Sequence, residues 1–183
     1  MMKVLVPISN GTEDMEAVII IDMLRRAGCV VVVAGDGNVV ICARGVRLVP
    51  DITIEEINDD ETFDAIVFPG GSQGVQNFID NPTLEAITRK HNKKKGLIGA
   101  ICAAPQVLHE YGLLPKSQTL TSHPSVASTL AHYSYSLDRV VEDGTIITSR
   151  GAGTAFEFSL ALIRRLMDGA VAARVSSDIV LYE

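Results

Sequence analysis

The stretch Gly96-Leu97-Ile98-Gly99-Ala100-Ile101-Cys102-Ala103-Ala104-Pro105 joins an apolar run to a cysteine and then to the start of a helix. A short apolar run with a glycine at its start predicts a buried strand. Alanine stands two positions before and two positions after Cys102. Small residues at those positions are typical of a nucleophile elbow, the sharp strand-to-helix turn that exposes a reactive side chain. The segment therefore predicts an α/β fold with Cys102 at such a turn.

Two interpretations of Cys102 remain open on this pattern. As a nucleophile beside a helix N-terminus it would have a lowered pKa and would favour the thiolate, because the helix dipole stabilises negative charge there. As a small apolar residue at the end of a core strand it would be buried and inert. The rest of the chain is needed to choose between them.

The chain outside this stretch alternates short β-branched runs with longer helical periods. Such alternation predicts a mostly parallel sheet with helices on both faces, a doubly wound three-layer α/β fold of the flavodoxin-like type. The strands are expected at 3–8, 29–34, 65–68 and 97–101, and the helices at 14–27, 84–95, 103–111 and 154–168. Two hairpins, around Arg44-Gly45 and around Asp143-Gly144, are expected as antiparallel additions at the sheet margins. No linker or repeat interrupts the pattern, so one domain is expected over residues 1–183.

Composition excludes several functional classes. The chain has 183 residues, 47% of them hydrophobic, and a net charge of -6, which suits one globular domain without general affinity for nucleic acid or membrane. Its apolar runs are too short to span a bilayer. Its three cysteines have no metal-like spacing, which predicts a reducing, cytoplasmic location. The chain has no Walker-type sequence, and no glycine fingerprint follows the first strand, so no nucleotide cofactor is expected. No cluster of His, Cys and carboxylate residues has the spacing of metal ligands, so no metal is expected either.

Chemically useful residues follow several of the predicted strands, where parallel sheets form their sites. Glu16 shares a helical stripe with Ile20 and Met23, so it should face the sheet, lose water and have a raised pKa. It could then donate a hydrogen bond to a thiolate or move a proton. A slightly rotated helix would instead place Glu16 among surface acids such as Glu13 and Asp14.

The backbone after the third predicted strand offers candidate oxyanion donors. Gly70 and Gly71 lack a Cβ, so their N–H groups, with that of Ala103, are candidates for binding an oxyanion beside Cys102. A simple tight turn is the alternative.

Among the four histidines, His123 follows a short strand at 119–121 and is the candidate at the active edge. A surface loop histidine is its alternative. His91 is expected to be solvated in a basic helix end, His109 to face outward, and His132 to lie in a polar connection.

Taken together, these motifs resemble the ThiJ/PfpI superfamily, and within it the branch of protein deglycases. The resemblance runs from end to end and includes residues 10–16, 25–28, 68–71, 96–105, 148–151 and 156–158. It implies that Cys102 is the reactive cysteine, Glu16 its partner and His123 the nearby histidine. It also implies a flavodoxin-like fold, a cytosolic homodimer, and a cysteine that peroxide oxidises to a sulfinic acid.

The resemblance implies a cofactor-independent glyoxalase that converts methylglyoxal or glyoxal, free or as adducts on protein side chains, to lactate or glycolate. An oxidative-stress sensor or redox-regulated chaperone acting through Cys102 sulfinate is the alternative. A cysteine amidase or peptidase is disfavoured, because Pro124 and Ser125 follow His123 where a carboxylate partner would stand, and Ala103 follows the cysteine.

Overall fold

A computed structural model describes residues 1–181 of the chain, so residues 182 and 183 of the predicted domain lie outside the described residues. Its centre is a seven-stranded sheet in the order β10-β11-β7-β6-β1-β2-β5. These strands are β1 (Lys3–Ile8), β2 (Val30–Gly35), β5 (Ile52–Thr53), β6 (Ala65–Phe68), β7 (Leu97–Ile101), β10 (Val140–Asp143) and β11 (Ile146–Ser149).

All neighbours in this sheet are parallel except β10 and β11. The five strands β2-β1-β6-β7-β11 follow the flavodoxin-like order, which reverses direction next to β1. Their apolar side chains are buried because helices cover both faces. The flavodoxin-like prediction is confirmed, with β1, β6 and β7 at the predicted bounds and β2 displaced by one residue.

Within residues 1–181, six helices lie on the two sides of the sheet. One face of the sheet packs against α1 and α5, and α6 packs against α5, in a cluster that includes Ile20, Phe158 and Val175. The other face packs against α2, α3 and α4, through a cluster that includes Phe78 and Leu108. The helices are α1 (Asp14–Arg26), α2 (Ser72–Ile79), α3 (Pro82–Lys93), α4 (Pro105–Glu110), α5 (Ala155–Leu166) and α6 (Gly169–Asp178). None of the helices within residues 1–181 is long and apolar enough to cross a membrane.

The two hairpins predicted at the margins of the main sheet are placed differently in the structure. The first, β3 (Val40–Ile41) and β4 (Arg47–Leu48), forms a small sheet of its own rather than an extension of the main sheet. In the second, only β10 is an antiparallel edge strand, because β11 pairs in parallel with β7 and belongs to the centre of the fold. The short strand predicted at 119–121 also lies outside the main sheet: β8 (Thr119–Leu120) pairs with β9 (Ser134–Tyr135).

Candidate active site

Cys102 lies at the carboxyl end of β7, in the turn that leads to α4. Its φ of 64° is in the left-handed region that L side chains rarely adopt. Its N–H donates to the Ser149 carbonyl at 3.0 Å, and its carbonyl accepts the His123 N–H at 2.8 Å. Backbone strain of this kind persists where neighbours hold the chain, and it is concentrated at functional sites. The turn has the strand-to-helix geometry predicted for a nucleophile elbow.

Glu16 is completely buried in the first turn of α1. Its Oε2 accepts the Gly70 N–H at 2.7 Å, while Oε1 is buried without a hydrogen-bond partner among the described residues. Burial raises the pKa of Glu16 to about 7, although the Gly70 N–H and the Cys102 thiol act in the opposite direction. A carboxyl with such a pKa is protonated in a large fraction of molecules near neutrality, which suits proton transfer.

The Glu16 carboxyl and the Cys102 sulfur are neighbours on either side of Gly70. A methyl group on Gly70 would lie 2.7 Å from Glu16 Oε2, 2.5 Å from Cys102 Cβ and 3.1 Å from Cys102 Sγ. Only a residue without a side chain therefore allows the acid and the thiol to meet. The inward direction predicted for Glu16 is what the structure shows.

The thiol of Cys102 has a raised pKa, opposite to the lowering predicted from a helix N-terminus. Burial is the largest cause, followed by the negative charge and hydrogen bonding of Glu16, and together they raise the pKa to about 12. α4 begins only at Pro105, so Cys102 is not in its first turn, and burial sets the direction of the pKa shift. The thiol and carboxyl thus share a single proton over a wide pH range, and a thiolate forms most readily when Glu16 holds that proton.

Backbone N–H groups of Gly71 and Ala103 face the sulfur and lower the pKa of Cys102. Gly71 has a φ of 92°, and a Cβ there would lie 2.2 Å from the Gly11 carbonyl oxygen, so the position requires glycine. The oxyanion role of Gly70 stays a prediction. In this structure its N–H donates to Glu16 Oε2, whereas the N–H groups of Gly71 and Ala103 face the sulfur.

His123 lines the same pocket as Cys102, and its ring is exposed to solvent. Its side chain caps a short 3-10 turn: Nδ1 accepts the Ser125 N–H at 3.2 Å and lies 2.7 Å from Ser125 Oγ. No hydrogen bond joins the His123 ring to Cys102 or Glu16 among the described residues. The structure therefore places His123 beside the Cys102–Glu16 pair and not within it.

The pocket over Cys102 has a volume of about 610 Å³. Besides the residues already described, its lining includes polar groups that sequence reasoning did not select, namely Glu13, Cys42, Arg44, Gln73 and Ser125. Burial raises the pKa of the Cys42 thiol to about 11, with Asp14 and Glu13 adding to it. This second thiol is therefore protonated near neutrality.

Asp14 is the most important residue that sequence reasoning missed. It was expected among the solvated acids, but it is 6% exposed and accepts the N–H groups of Arg44 at 2.8 Å and Val46 at 3.0 Å. These bonds hold the β3–β4 hairpin over the pocket. An acid in the first turn of a helix is usually solvated, so no pattern within α1 distinguishes Asp14.

Two of the remaining histidines also differ from expectation. His91 is buried rather than solvated, since its Nε2 bonds the Leu97 carbonyl at 2.8 Å and its ring packs against Gly96. His109 is half-buried, with Nδ1 2.9 Å from the Tyr133 hydroxyl, rather than directed outward. Within residues 1–181, no group of three or more His, Cys, Asp or Glu side chains is arranged to hold a metal ion.

Comparison with known proteins identifies the family of this chain. The DJ-1/PfpI family signature matches residues 2–165. The Parkinson disease protein 7 homolog of Danio rerio is 40% identical, covering 99% of this chain and 98% of the relative. Glutathione-independent glyoxalase DJR-1.2 of Caenorhabditis elegans is 36% identical, covering 86% of this chain and 84% of the relative.

The crystal structure of Drosophila melanogaster DJ-1beta superimposes with a TM-score of 0.94 at 39% identity, over 100% of this chain and 99% of that one. The similarity therefore covers both sequence and fold over almost the full length of each protein. The resemblance to the ThiJ/PfpI superfamily is confirmed, and the chain belongs to the DJ-1/PfpI family.

Proposed function

We propose that this protein is a cofactor-independent glyoxalase with Cys102 as nucleophile. The observation that carries the proposal is the placement of a buried Glu16 carboxyl, with a pKa raised to about 7, directly beside the Cys102 thiol. A relative in the same family is named as a glutathione-independent glyoxalase. An enzyme that needs no glutathione must supply its own thiol, and Cys102 is the half-buried cysteine at the pocket.

In the first step, the Cys102 thiol gives its proton to the Glu16 carboxylate, and Cys102 Sγ bonds to the aldehyde carbon of methylglyoxal. The electron pair of the C=O bond moves to oxygen, and the resulting anion takes a proton from Glu16, which leaves a hemithioacetal. The N–H groups of Gly71 and Ala103 stabilise the negative charge in the meantime, because they already face the sulfur.

In the second step, the Glu16 carboxylate removes the proton from the former aldehyde carbon and returns it to the former ketone carbon. The hydroxyl proton of the hemithioacetal passes to the second oxygen, and the product is a thioester of lactate. Water then hydrolyses the thioester, releasing lactate and the thiol. The former aldehyde carbon is oxidised and the former ketone carbon is reduced, so the overall reaction consumes only water.

The test is lactate formation from methylglyoxal by the purified protein without glutathione. Cys102→Ser and Glu16→Gln are expected to abolish turnover, while Cys29→Ser, which removes a buried cysteine outside the pocket, should leave it intact. Absence of turnover in the wild type, or unchanged turnover in Cys102→Ser, would contradict the proposal.

Protein deglycase activity is proposed as an extension of the same chemistry. A three-carbon aldehyde fills only a small part of a 610 Å³ pocket, and the opening is lined by polar groups suited to a side-chain adduct. Rates on free methylglyoxal should be compared with rates on its adducts with acetylated cysteine, lysine and arginine. Turnover of the adducts no faster than their spontaneous release of aldehyde would exclude the extension.

A redox sensor is the second candidate function, and the Glu16 carboxyl beside Cys102 favours it. A protonated Glu16 can donate a hydrogen bond to a Cys102 sulfinate and so stabilise the oxidised form. Mass spectrometry under graded peroxide, with turnover measured in parallel, separates the two. Selective sulfinate formation at Cys102 in a protein that forms no lactate would favour the sensor.

We also propose that the protein is a cytoplasmic homodimer. Apolar side chains on α1 and the neighbouring hairpin are exposed, among them Met15 (55%), Val18 (45%) and Val49 (76%). A second copy would bury them. Light scattering should give twice the monomer mass, and Val18→Asp should reduce the measured mass.

The three free cysteines suit a reducing compartment such as the cytoplasm, which cell fractionation would test.

A further inference from the structure

The hydrogen bonds of Ser125 determine which nitrogen of His123 carries a proton. The Ser125 backbone N–H, 3.2 Å from His123 Nδ1, can only donate, so Nδ1 must be an unprotonated acceptor. The Ser125 hydroxyl, 2.7 Å from the same nitrogen, can donate or accept, and opposite an acceptor it donates. The neutral ring therefore carries its proton on Nε2.

His123 is one of the residues that line the Cys102 pocket. The residue is anchored there because its N–H donates to the Cys102 carbonyl at 2.8 Å. Gly151 leaves space beside the ring, since a methyl group on it would lie 3.5 Å from Cδ2, the atom next to Nε2. None of the described residues forms a hydrogen bond with Nε2, so this donor is available to a bound molecule.

We propose that Ser125 is a positioning residue that holds His123 as an Nε2–H donor to the ketone oxygen of the substrate. This inference rests on the glyoxalase function proposed above. It divides the chemistry between two side chains: Glu16 alone carries the proton between the carbons, and His123 polarises the carbonyl. A neutral imidazole can act in this way as an electrophile.

The donor role fits the second step of the reaction. When Glu16 takes the proton from the first carbon, the C–H electron pair enters the carbon–carbon bond and the ketone π pair moves to the ketone oxygen. Nε2–H donates a hydrogen bond to that oxygen and keeps its proton. The oxygen is then neutralised by the hydroxyl proton of the hemithioacetal, so His123 ends the cycle unchanged.

The tautomer is tested by nitrogen-15 NMR of the imidazole rings in the full-length protein, with His123→Gln used to assign the signals. At a pH where the ring is neutral, the wild type should show His123 protonated on Nε2 only. Ser125→Asp replaces the shorter contact at Nδ1, the hydroxyl at 2.7 Å, with an acceptor-only carboxylate. A charged acceptor there outweighs the longer backbone N–H contact at 3.2 Å and should draw a proton onto that nitrogen. A wild-type ring protonated on Nδ1, or a Ser125→Asp spectrum identical to wild type, would overturn the inference.

Kinetics distinguish a donor from a base at the same position. His123→Gln retains an N–H donor and should keep kcat within about tenfold of wild type, whereas His123→Glu should lower it by about 100-fold or more, the effect of losing one oxyanion donor. Activity of His123→Glu equal to or above that of His123→Gln would show a base and overturn the donor role.

Ser125→Ala loses the hydroxyl and should lower kcat by about 3- to 10-fold with little change in KM, the range for one neutral hydrogen bond. Ser125→Thr should restore kcat, and Ser128→Ala, an exposed serine on the same segment, is the matched control. No loss in Ser125→Ala would overturn the positioning role. A wild type that forms no lactate would overturn the glyoxalase proposal itself, while the NMR spectrum would still decide whether Ser125 selects the tautomer.

Discussion

The negative charge of Glu16 is one of the reasons why the Cys102 pKa is raised to about 12. Glu16→Gln keeps the size of the side chain and removes that charge, so the pKa of Cys102 should fall. Ultraviolet titration of the thiolate, with Cys102→Ser as the baseline, measures it. Glu110→Gln, an exposed acid on α4, is the control and should leave the titration unchanged. A Cys102 pKa that is the same with and without Glu16 would contradict the coupling on which the mechanism depends.

Gly70 is the second residue on which the pairing depends. In Gly70→Ala the new methyl group would lie 2.5 Å from Cys102 Cβ and 2.7 Å from Glu16 Oε2, so the two must separate. We expect a loss of about 1–3 kcal/mol in the free energy of unfolding, typical of overpacking, and loss of lactate formation. Urea unfolding and turnover are the measurements. Gly169→Ala, where a Cβ meets nothing within 4 Å, should unfold and react like wild type.

Among the elements, α1 and the β3–β4 hairpin are joined by Asp14. Asp14→Asn keeps one acceptor and turns a donor toward the other N–H, so at least one of the bonds to Arg44 and Val46 is lost. We expect a destabilisation of about 1–3 kcal/mol, as for hydrogen bonds to charged groups, and faster hydrogen exchange at both amides. Asp22→Asn is the matched control on α1, since Asp22 only pairs with Arg26 at the surface. Unchanged exchange at Arg44 would contradict the anchoring role.

These elements differ in how far the sequence predicts them. Interior parallel strands such as β1, β6 and β7 are buried on both faces and appear as uninterrupted apolar runs, so their bounds follow from composition. The hairpin of β3 and β4 was also expected from its apolar runs, but its place over the pocket depends on Asp14 and was not predicted. Cys102 and Glu16 were predicted because a turn signature and a helical stripe are local patterns. The hydrogen bond from the Gly70 N–H to Glu16 was not predicted, because every residue except proline has a backbone N–H and the sequence does not show which of them binds a given side chain.

For the whole molecule, Glu16 makes stability depend on pH. Its pKa is about 7 in the folded protein against an ordinary value of 4.5 in the unfolded chain, so the folded state binds the proton more tightly. Stability is therefore lost as pH rises from about 4.5 to 7, by about 3 kcal/mol in all from this group. Glu16→Gln has no carboxyl group to titrate. In urea unfolding, its free energy of unfolding relative to that of the wild type should therefore increase over that interval and stay constant above it. A constant difference between the two proteins from pH 4.5 to 8 would contradict the raised pKa.

The bond from the Cys102 N–H to the Ser149 carbonyl has a consequence for biosynthesis. The cysteine leaves the ribosome well before β11 does, yet its strained turn is held by that later strand and by His123. A nascent polypeptide that stops short of β11 therefore lacks the carbonyl that accepts the Cys102 N–H. We expect the strained turn at Cys102 to form only after β11 and His123 have been synthesised and have packed against it.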